Sequence, residues 1–370
     1  MNSARILCTF PGGTGHFLPI VPVARAAEAA GHTVAFACQP AMVAVVEATG
    51  LTAFATGGDS LLAAGVRQPL VAPEQERKDR GADRDRERAD AVLALCRDWR
   101  PDVLVCDESD FGPVVAAERL GIPHACVQST ATASVTASAA NVALANDLRA
   151  RHGLPPDPGF GMLHRYLALV PFPRSLRDPG CPLPSTAGLF RDVEPGPAVR
   201  SDPPLVYVTL GTIFNQESGD LFERIVEGVR GLPVSVVATV GRELDPAVLG
   251  PQPANVHIGQ YVPQARFLPS CALVVSHGGS GSVLGALAHG VPMVVVPIGA
   301  DQPRNARRCA DLGVARVVPA QEASPGRVRT AAAEVMADGM YRRNAARIRD
   351  EILALPGPDH AVALLEDLTR

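Results

Sequence analysis

The sequence lacks several features that would assign it to a distinctive class of protein. No stretch is apolar for long enough to span a bilayer, and the apolar run near the start is too short for a signal peptide. Lysine is nearly absent apart from Lys78, aromatic residues make up 4% of the chain, and Trp99 is its one tryptophan. The net charge of −4 gives no reason to expect a nucleic acid partner. We therefore expect a cytoplasmic globular protein without stable membrane insertion.

The chain also lacks paired cysteine motifs. Its 8 cysteines include no C-x-x-C pair, and several lie inside apolar runs, such as Cys8, Cys38, Cys106 and Cys126. This pattern predicts buried reduced thiols rather than a disulfide framework or a zinc site.

One stretch in the last third of the chain carries a recognisable local pattern. Ala272–Ser276 is a short apolar run typical of a strand buried on both faces, and the polar turn His277–Ser282 follows it. A short helix is expected next, then a second buried strand at 291–297 and another helix near Asp301. Strand, glycine-rich turn and helix together present free backbone N–H groups at a helix N-terminus, which attracts anions. We therefore predict that Gly278–Ser282 binds a phosphate or diphosphate.

The first third of the chain repeats this order. Arg5–Phe10 is predicted to be a strand, Pro11–His16 a turn, and the residues after it a helix that leads to a strand at Thr33–Cys38. Cys38 and Gln39 close that second strand, where a dinucleotide-binding enzyme would place an acidic residue for the ribose. This difference argues against a dinucleotide enzyme.

Length and element order predict an α/β fold of two doubly wound, Rossmann-like domains that face a central cleft. We place the first domain at 1–192, a proline-rich linker at 193–204, and the second domain at 205–350. A C-terminal helix at 351–370 could pack back on the first domain. Both glycine turns should face the cleft, because ligands of such sheets bind outside the carboxyl ends of the strands.

Two segments of the first domain carry weaker local predictions. The dense mixed charges at 74–90 are typical of a solvated helix face or a loop. The alanine-rich run from Ser129 to Ala150 is predicted to be helical.

A histidine and an aspartate are expected to meet at the rim of the first sheet. His16 lies at the exit of the first glycine turn, and Asp107 ends another strand of the same sheet. A carboxylate on one imidazole nitrogen orients the ring and supports the other nitrogen as a general base. A structural histidine is the simpler alternative for His16 alone, and Asp110 is close enough in sequence to replace Asp107 as its partner.

These motifs resemble a known family. Residues 205–315 contain, in order, VTLGT, QYVPQ and HGGSGSVLGALAHGVPMVVVPIGADQPRNARR, and the first half contains GGTGHFLP and VCDESDFGPVVAAERLGIP. The chain resembles bacterial GT-B glycosyltransferases of the UDP-glycosyltransferase (GT1) family, which includes macrolide, glycopeptide and enediyne glycosyltransferases. The resemblance implies the GT-B form of the two-domain fold.

The resemblance also implies roles for individual residues. His16 matches the catalytic base that removes a proton from the acceptor, and Asp107 matches its partner. The other matching positions are assigned to the sugar-nucleotide donor: Gly13 in the first turn; His277, Gly279, Ser280, Gly281 and Ser282 at the diphosphate, with Thr212 in the opposing turn; Tyr261, Val262 and Gln264 at the nucleobase; Asp301 and Gln302 at the sugar hydroxyls.

The implied activity is an inverting, metal-independent transfer of a hexose or deoxyhexose from a TDP- or UDP-sugar to a small natural-product acceptor. Family context favours TDP. No separate cofactor is implied, and no metal site is expected, since the glycine turns and cleft segments contain no Asp-x-Asp. Alternatives are a lipid-linked sugar transferase of the cell envelope, a sugar-nucleotide 2-epimerase and a non-catalytic auxiliary protein; a homodimer is left open.

Overall fold

Two parallel α/β sheets, one in each half of the chain, make up the fold. The computed structural model describes residues 3–58, 74–133, 138–199, 201–211, 218–241 and 244–370, without the side chains of 74–84 and Val248. Thr212, assigned above to the donor diphosphate, lies outside the described residues. Among the described helices, none has the length and apolarity needed to cross a membrane.

The first half forms a seven-stranded sheet in the order β3-β2-β1-β4-β5-β6-β7. Its strands are β1 (Arg5–Thr9), β2 (Thr33–Cys38), β3 (Thr52–Ala55), β4 (Val103–Asp107), β5 (His124–Val127), β6 (Leu167–Val170) and β7 (Ala187–Leu189). Its helices are α1 (Thr14–Phe17), α2 (Val21–Ala29), α3 (Pro40–Glu47), α4 (Glu74–Trp99), α5 (Phe111–Leu120) and α6 (Ala139–Arg151). All strand pairs are parallel, so β1 and β4 end at the same edge, and Thr9 pairs with Cys106, next to Asp107.

The second half forms a six-stranded sheet in the order β10-β9-β8-β11-β12-β13, also parallel. Its strands are β8 (Leu205–Thr209), β9 (Ser235–Thr239), β10 (Val256–Gly259), β11 (Cys271–Ser276), β12 (Met293–Val295) and β13 (Ala315–Val317). Its helices are α7 (Leu221–Arg230), α8 (Ser280–Ala288), α9 (Gln302–Asp311), α10 (Pro325–Ala337), α11 (Gly339–Leu353) and α12 (Pro358–Leu368). Short 3₁₀ turns occur at Gly161–His164, Arg174–Leu176, Pro246–Leu249, Gln264–Arg266, Leu268–Ser270 and Ala320–Glu322.

Apolar side chains cover both faces of each sheet, as parallel sheets require. The last helix, α12, packs on the first domain, where Val362 and Leu365 join Ile20 and Ala24 in one buried cluster. Another buried cluster contains residues of both halves, including Phe172 from the first and Leu287 from the second. The two sheets are therefore held together by apolar packing as well as by the chain between them.

The charged segment 74–90 differs from its prediction. It forms the first part of α4, and side chains near its end are buried: Asp85 and Arg88 are 1% and 0% exposed. Gly112 of α5 shows why, since a Cβ there would lie 2.6 Å from the Asp85 carbonyl oxygen. The two helices approach too closely for solvent at that point, so the prediction of a solvated face was wrong for the end of this segment.

The helix predicted from Ser129 begins later, at Ala139. The Glu108 carboxylate accepts hydrogen bonds from the backbone N–H groups of Ser129 and Thr130, which holds these residues in a loop. A buried acceptor thus competes with the helical pattern. Because Ser129 and Thr130 line the cleft between the domains, this loop belongs to the site.

Candidate active site

A cleft of about 280 Å³ lies between the carboxyl edges of the two sheets. Most of the predicted site residues line it: His16, Tyr261, Val262, Gln264, His277, Gly279, Ser280, Gly281, Ser282, Asp301 and Gln302. The two glycine turns therefore face one another across a single space.

His16 and Asp107 form a hydrogen-bonded pair at the first sheet. His16 Nδ1 lies 3.1 Å from Asp107 Oδ2, and the aspartate side chain is 1% exposed while that of His16 is 34% exposed. The backbone N–H and hydroxyl of Ser109 both donate to Asp107 Oδ1. The buried carboxylate is thus held on both oxygens while the ring reaches the cleft.

The charge of Asp107 sets the tautomer of His16. Burial would raise the pKa of the Asp107 carboxyl, but attraction to His16 and hydrogen bonds from His16 and Ser109 together lower that pKa below its ordinary value. An ionised carboxylate is an acceptor, so Nδ1 of neutral His16 carries the hydrogen. The Nε2 lone pair is then left as the basic site.

Asp110, the alternative partner of His16, is engaged elsewhere. Arg88 binds it through two hydrogen bonds, Nε to Oδ1 at 2.8 Å and Nη2 to Oδ2 at 2.6 Å, and both side chains are fully buried. The geometry pairs Asp107 with His16.

Gly13 contributes its backbone to the first turn. It precedes α1 with φ of 77°, and its carbonyl accepts hydrogen bonds from the N–H groups of His16 and Phe17. A positive φ of this kind favours glycine. Gly13 therefore shapes the turn that presents His16, whereas Thr14 and Gly15 line the cleft beside it.

The second glycine turn leads directly into α8, which begins at Ser280 rather than at Val283. Gly278 has φ of 82°, a backbone conformation that favours glycine. A Cβ there would also lie 2.6 Å from Val295 Cγ1, so both the backbone and the available space require glycine at this position. The first N–H groups of a helix have no partner within the helix, and the helix dipole adds positive potential there. Gly279–Ser282 therefore offers the cleft an anion-binding surface.

The His277 side chain is buried and packs closely against Gly211 and Gly279. A Cβ at Gly211 would lie 2.7 Å from His277 Nε2, and a Cβ at Gly279 would lie 2.5 Å from it. The ring thus sits between the end of β8 and the start of α8. Burial lowers its pKa to about 4, against an ordinary 6.5, while the Asp301 carboxylate and a hydrogen bond with the Thr209 backbone carbonyl act in the opposite direction.

This shift predicts a pH dependence of stability. The native pKa of His277 is about 4 and the ordinary value is 6.5, so between these pH values the unfolded chain binds a proton that the native protein does not. Stability is therefore lost as pH falls from about 6.5 to 4, by about 3 kcal/mol from this group. Thermal unfolding followed by circular dichroism across pH 4–7, in wild type and His277→Gln, measures it.

The variant should show a shallower loss of stability at low pH than the wild type. His257→Gln, at an exposed position of β10, is the matched control. Equal pH slopes in wild type and His277→Gln would contradict burial of a neutral ring.

One asparagine organises the part of the site where the sugar hydroxyls are predicted to bind. Asn305 Nδ2 lies 2.9 Å from the Gly278 carbonyl oxygen, 3.1 Å from Ser280 Oγ and 2.7 Å from Asp301 Oδ2. Gln302 is held separately, because its Oε1 accepts hydrogen bonds from the N–H groups of Ile298 and Gly299. Asp301 and Gln302 are therefore fixed at the cleft by neighbouring groups.

One of the predicted nucleobase residues contacts the first turn of α8. Gln264 Nε2 donates to the Gly281 carbonyl at 3.1 Å, and the Tyr261 ring is 36% exposed beside it. Tyr207 and Thr239 line the same part of the cleft and are hydrogen bonded at 2.9 Å. An exposed aromatic ring that lines the cleft offers a stacking surface.

Several residues of the site were not predicted. They are Glu108, Ser109, Ser129, Thr130, Tyr207, Thr239 and Asn305. Asn305 could have been found, since it lies four residues after Asp301 and so shares its face of a helix. The loop residues have no such signal, because their placement depends on contacts distant in sequence.

Comparisons with known proteins identify relatives of this chain. Residues 223–368 match a protein family described as "Erythromycin biosynthesis protein CIII-like, C-terminal domain". An aklavinone 7-beta-L-rhodosaminyltransferase of Streptomyces galilaeus is 30% identical, over 99% of this chain and 96% of the relative. A TDP-daunosamine transferase, DnrS, of Streptomyces peucetius is also 30% identical, over 99% of this chain and 97% of the relative.

Solved structures match over the whole length. The spinosyn rhamnosyltransferase SpnG, in complex with thymidine diphosphate, is 26% identical with a TM-score of 0.81, covering 98% of this chain and 100% of that one. The calicheamicin glycosyltransferase CalG4 has the same fold, with a TM-score of 0.82 at 24% identity over 100% of this chain and 98% of that one. The predicted GT-B fold and enzyme class are confirmed, and the chain belongs to the bacterial natural-product glycosyltransferases of the UDP-glycosyltransferase family.

Proposed function

We propose that the protein transfers a hexose or deoxyhexose from a TDP-sugar to a hydroxyl of a small natural-product acceptor, with inversion at the anomeric carbon and without a metal ion. The observation that carries this proposal is the placement of the His16–Asp107 pair and the N-terminus of α8 in one cleft. A base and an anion-binding surface are the two parts that direct displacement of a diphosphate requires.

His16 acts on the acceptor. With Nδ1–H donated to Asp107, Nε2 accepts the proton of the acceptor hydroxyl as that oxygen forms its bond to the anomeric carbon. Asp107 stays ionised and stabilises the imidazolium that results. Leu18, 53% exposed and lining the cleft close to His16, offers apolar surface to the acceptor.

The second domain acts on the leaving group. The bond from the anomeric carbon to the diphosphate oxygen breaks as the new bond forms, so negative charge develops on the diphosphate. The first N–H groups of α8 stabilise that charge without a metal ion. A bound diphosphate also raises the pKa of His277 from its low value in the free protein, because a nearby anion favours imidazolium.

The remaining donor contacts follow from position in the cleft. Asp301 and Gln302, at the start of α9, bind sugar hydroxyls, and Tyr261, Val262 and Gln264 bind the nucleobase. TDP is favoured over UDP because one relative at 30% identity is named a TDP-daunosamine transferase and a solved relative holds thymidine diphosphate.

A donor and acceptor screen tests this function. The purified protein is incubated with TDP- and UDP-sugars and with aglycones of the kinds named for its relatives, aklavinone and tylactone among them. We expect glycoside formation with TDP-sugars, detected by mass spectrometry, to be unchanged by EDTA. An α-linked donor should give a β-glycoside, which the anomeric proton coupling reports.

The outcomes separate the parts of the proposal. An α-glycoside from an α-linked donor contradicts single displacement. Loss of turnover with EDTA, restored by a divalent cation, contradicts metal independence. Transfer to a polyprenyl-linked sugar in place of the aglycones contradicts the acceptor class.

A further inference from the structure

A hydrogen bond joins the two domains beside the cleft, which Ser280 lines. The backbone N–H of Ala131, in the loop after β5, donates to the Ser280 hydroxyl at 2.8 Å. That hydroxyl donates in turn to Asp301 Oδ2 at 2.7 Å. Ala131 and Ser280 are 1% and 8% exposed, so water competes little for either bond. We call the Ala131 N–H, the Ser280 hydroxyl and the Asp301 carboxylate the interdomain clasp.

The direction of the Ser280 hydroxyl is fixed by its neighbours. A hydroxyl has two acceptor lone pairs and one hydrogen. The N–H of Ala131 and the side-chain amide of Asn305 both donate to Ser280 Oγ, so its hydrogen is directed to Asp301. The Ser280 side chain is thus committed to the clasp, and the part of Ser280 that can serve a diphosphate is its backbone N–H.

Glu108 holds the loop that supplies the Ala131 N–H. Its Oε1 accepts hydrogen bonds from the backbone N–H of Ser129 at 3.1 Å, the N–H of Thr130 at 2.8 Å and the Thr130 hydroxyl at 2.6 Å. Glu108 is 8% exposed and follows Asp107 in the chain. Hydrogen bonds to a shielded carboxylate are stronger than neutral ones, so this loop is tied firmly to the end of β4.

We propose that Glu108 is a positioning residue for the donor sugar, acting through the interdomain clasp on Asp301. This inference rests on the proposed function, in which Asp301 binds a sugar hydroxyl. Glu108 fixes the loop, the loop fixes the Ser280 hydroxyl, and the hydroxyl fixes the carboxylate of Asp301. The clasp therefore aligns the sugar with the domain that carries His16.

The clasp reaches the sugar end of the donor but not its nucleotide end. Gln264, predicted to lie at the nucleobase, donates its side-chain amide to the Gly281 carbonyl and not to a member of the clasp. Loss of Glu108 should consequently weaken productive binding of the intact TDP-sugar while leaving the affinity for TDP alone little changed. A loop that was merely structural would not separate the two.

The experiment compares Glu108→Ala, Glu108→Gln and Ser280→Ala in the full-length enzyme. Steady-state kinetics give kcat and KM for the TDP-sugar, and calorimetry gives the Kd for TDP. We expect Glu108→Ala and Ser280→Ala each to lower kcat/KM for the TDP-sugar by about 10–100-fold, as loss of charge-assisted or buried hydrogen bonds implies. The Kd for TDP should change by less than about threefold.

Two further variants test the connection between residues. Glu108→Gln keeps an oxygen acceptor for the loop N–H groups and should restore kcat/KM to within about fivefold of wild type. The Glu108→Ala/Ser280→Ala double variant should lose no more than the larger single loss, because both changes break one chain of contacts. Glu47→Ala, at an exposed position ending α3, is the matched control for removal of a glutamate.

Each other result overturns the proposal. A parallel loss of TDP affinity and kcat/KM indicates a structural loop, and additive losses in the double variant indicate that the residues act separately. Normal kinetics of Glu108→Ala beside an active wild type overturns the positioning role alone. A wild type that transfers no sugar from any TDP- or UDP-donor overturns the proposed function, and this inference with it.

Discussion

Replacement of His16 by alanine is expected to lower kcat by about 10²–10⁴-fold, the usual contribution of a positioned general base. The KM for the donor should change by less than about threefold, because in the proposed mechanism His16 acts on the acceptor. Steady-state kinetics with a saturating TDP-sugar measure both values. His360→Ala, exposed on α12, is the matched control.

Asp107→Asn tests how His16 works. An asparagine of the same shape can donate its amide N–H to His16 Nδ1, which would place the ring hydrogen on Nε2 and remove the basic lone pair. We expect a loss close to that of His16→Ala, and a double variant no worse than either single one. Full turnover by His16→Ala would remove this residue from the mechanism, while full turnover by Asp107→Asn would remove the need for a fixed tautomer.

The parts of this fold that were predicted from sequence are those that local patterns determine. Apolar runs followed by glycine turns located β1 and β11, because a buried parallel strand and a positive φ each restrict residue type. The edge strand β13 escaped prediction. β13 has three residues, one of them the exposed Arg316, so it carries neither the length nor the apolarity of a buried strand.

The same distinction applies to the site residues: local patterns predicted some of them and not others. His16 and Gly279–Ser282 line the cleft as predicted, since the turns themselves determine where the backbone points, while Gly13 shapes the first turn. Ser280 was assigned to the diphosphate, and the contact of its hydroxyl with both Ala131 and Asp301 was not predicted. That role depends on a loop 149 residues away in sequence, and local pattern contains no information about such a contact. Glu108 was missed for the same reason, whereas Asn305, four residues after Asp301 on one helix, could have been found from its spacing.

The segment 74–90 shows most clearly how local charge can mislead, and it leads to a prediction about stability. Arg88 and Asp110 are both fully buried, and Arg88 also lies 3.3 Å from the Thr56 carbonyl oxygen and 3.4 Å from that of Ala37. Arg88→Met leaves the Asp110 carboxylate buried without its counter-charge. We expect the free energy of unfolding to fall by about 3–5 kcal/mol.

Urea denaturation followed by tryptophan fluorescence measures this loss. Trp99, the one tryptophan of the chain, lies on the same helix α4, under the Arg5 guanidinium at 4.2 Å, so its emission reports unfolding of the first domain. Arg151→Met is the matched control. Arg151 pairs with Asp147 on the surface of α6, and its loss should change stability by less than about 1 kcal/mol.

A double variant separates the two sources of the loss. In Arg88→Met/Asp110→Leu no buried charge is left uncompensated, so at least about 2 kcal/mol of the loss should be recovered. Recovery should stay incomplete, because the Ala37 and Thr56 carbonyls lose the hydrogen bonds that Arg88 donates. If the double variant is less stable than Arg88→Met, the stabilisation comes from the contacts of Arg88 with the strand ends and from Asp110 at the start of α5. The ion pair itself would then contribute little to stability. Arg88 would stabilise the fold through its hydrogen bonds to the Ala37 and Thr56 carbonyls rather than through its charge.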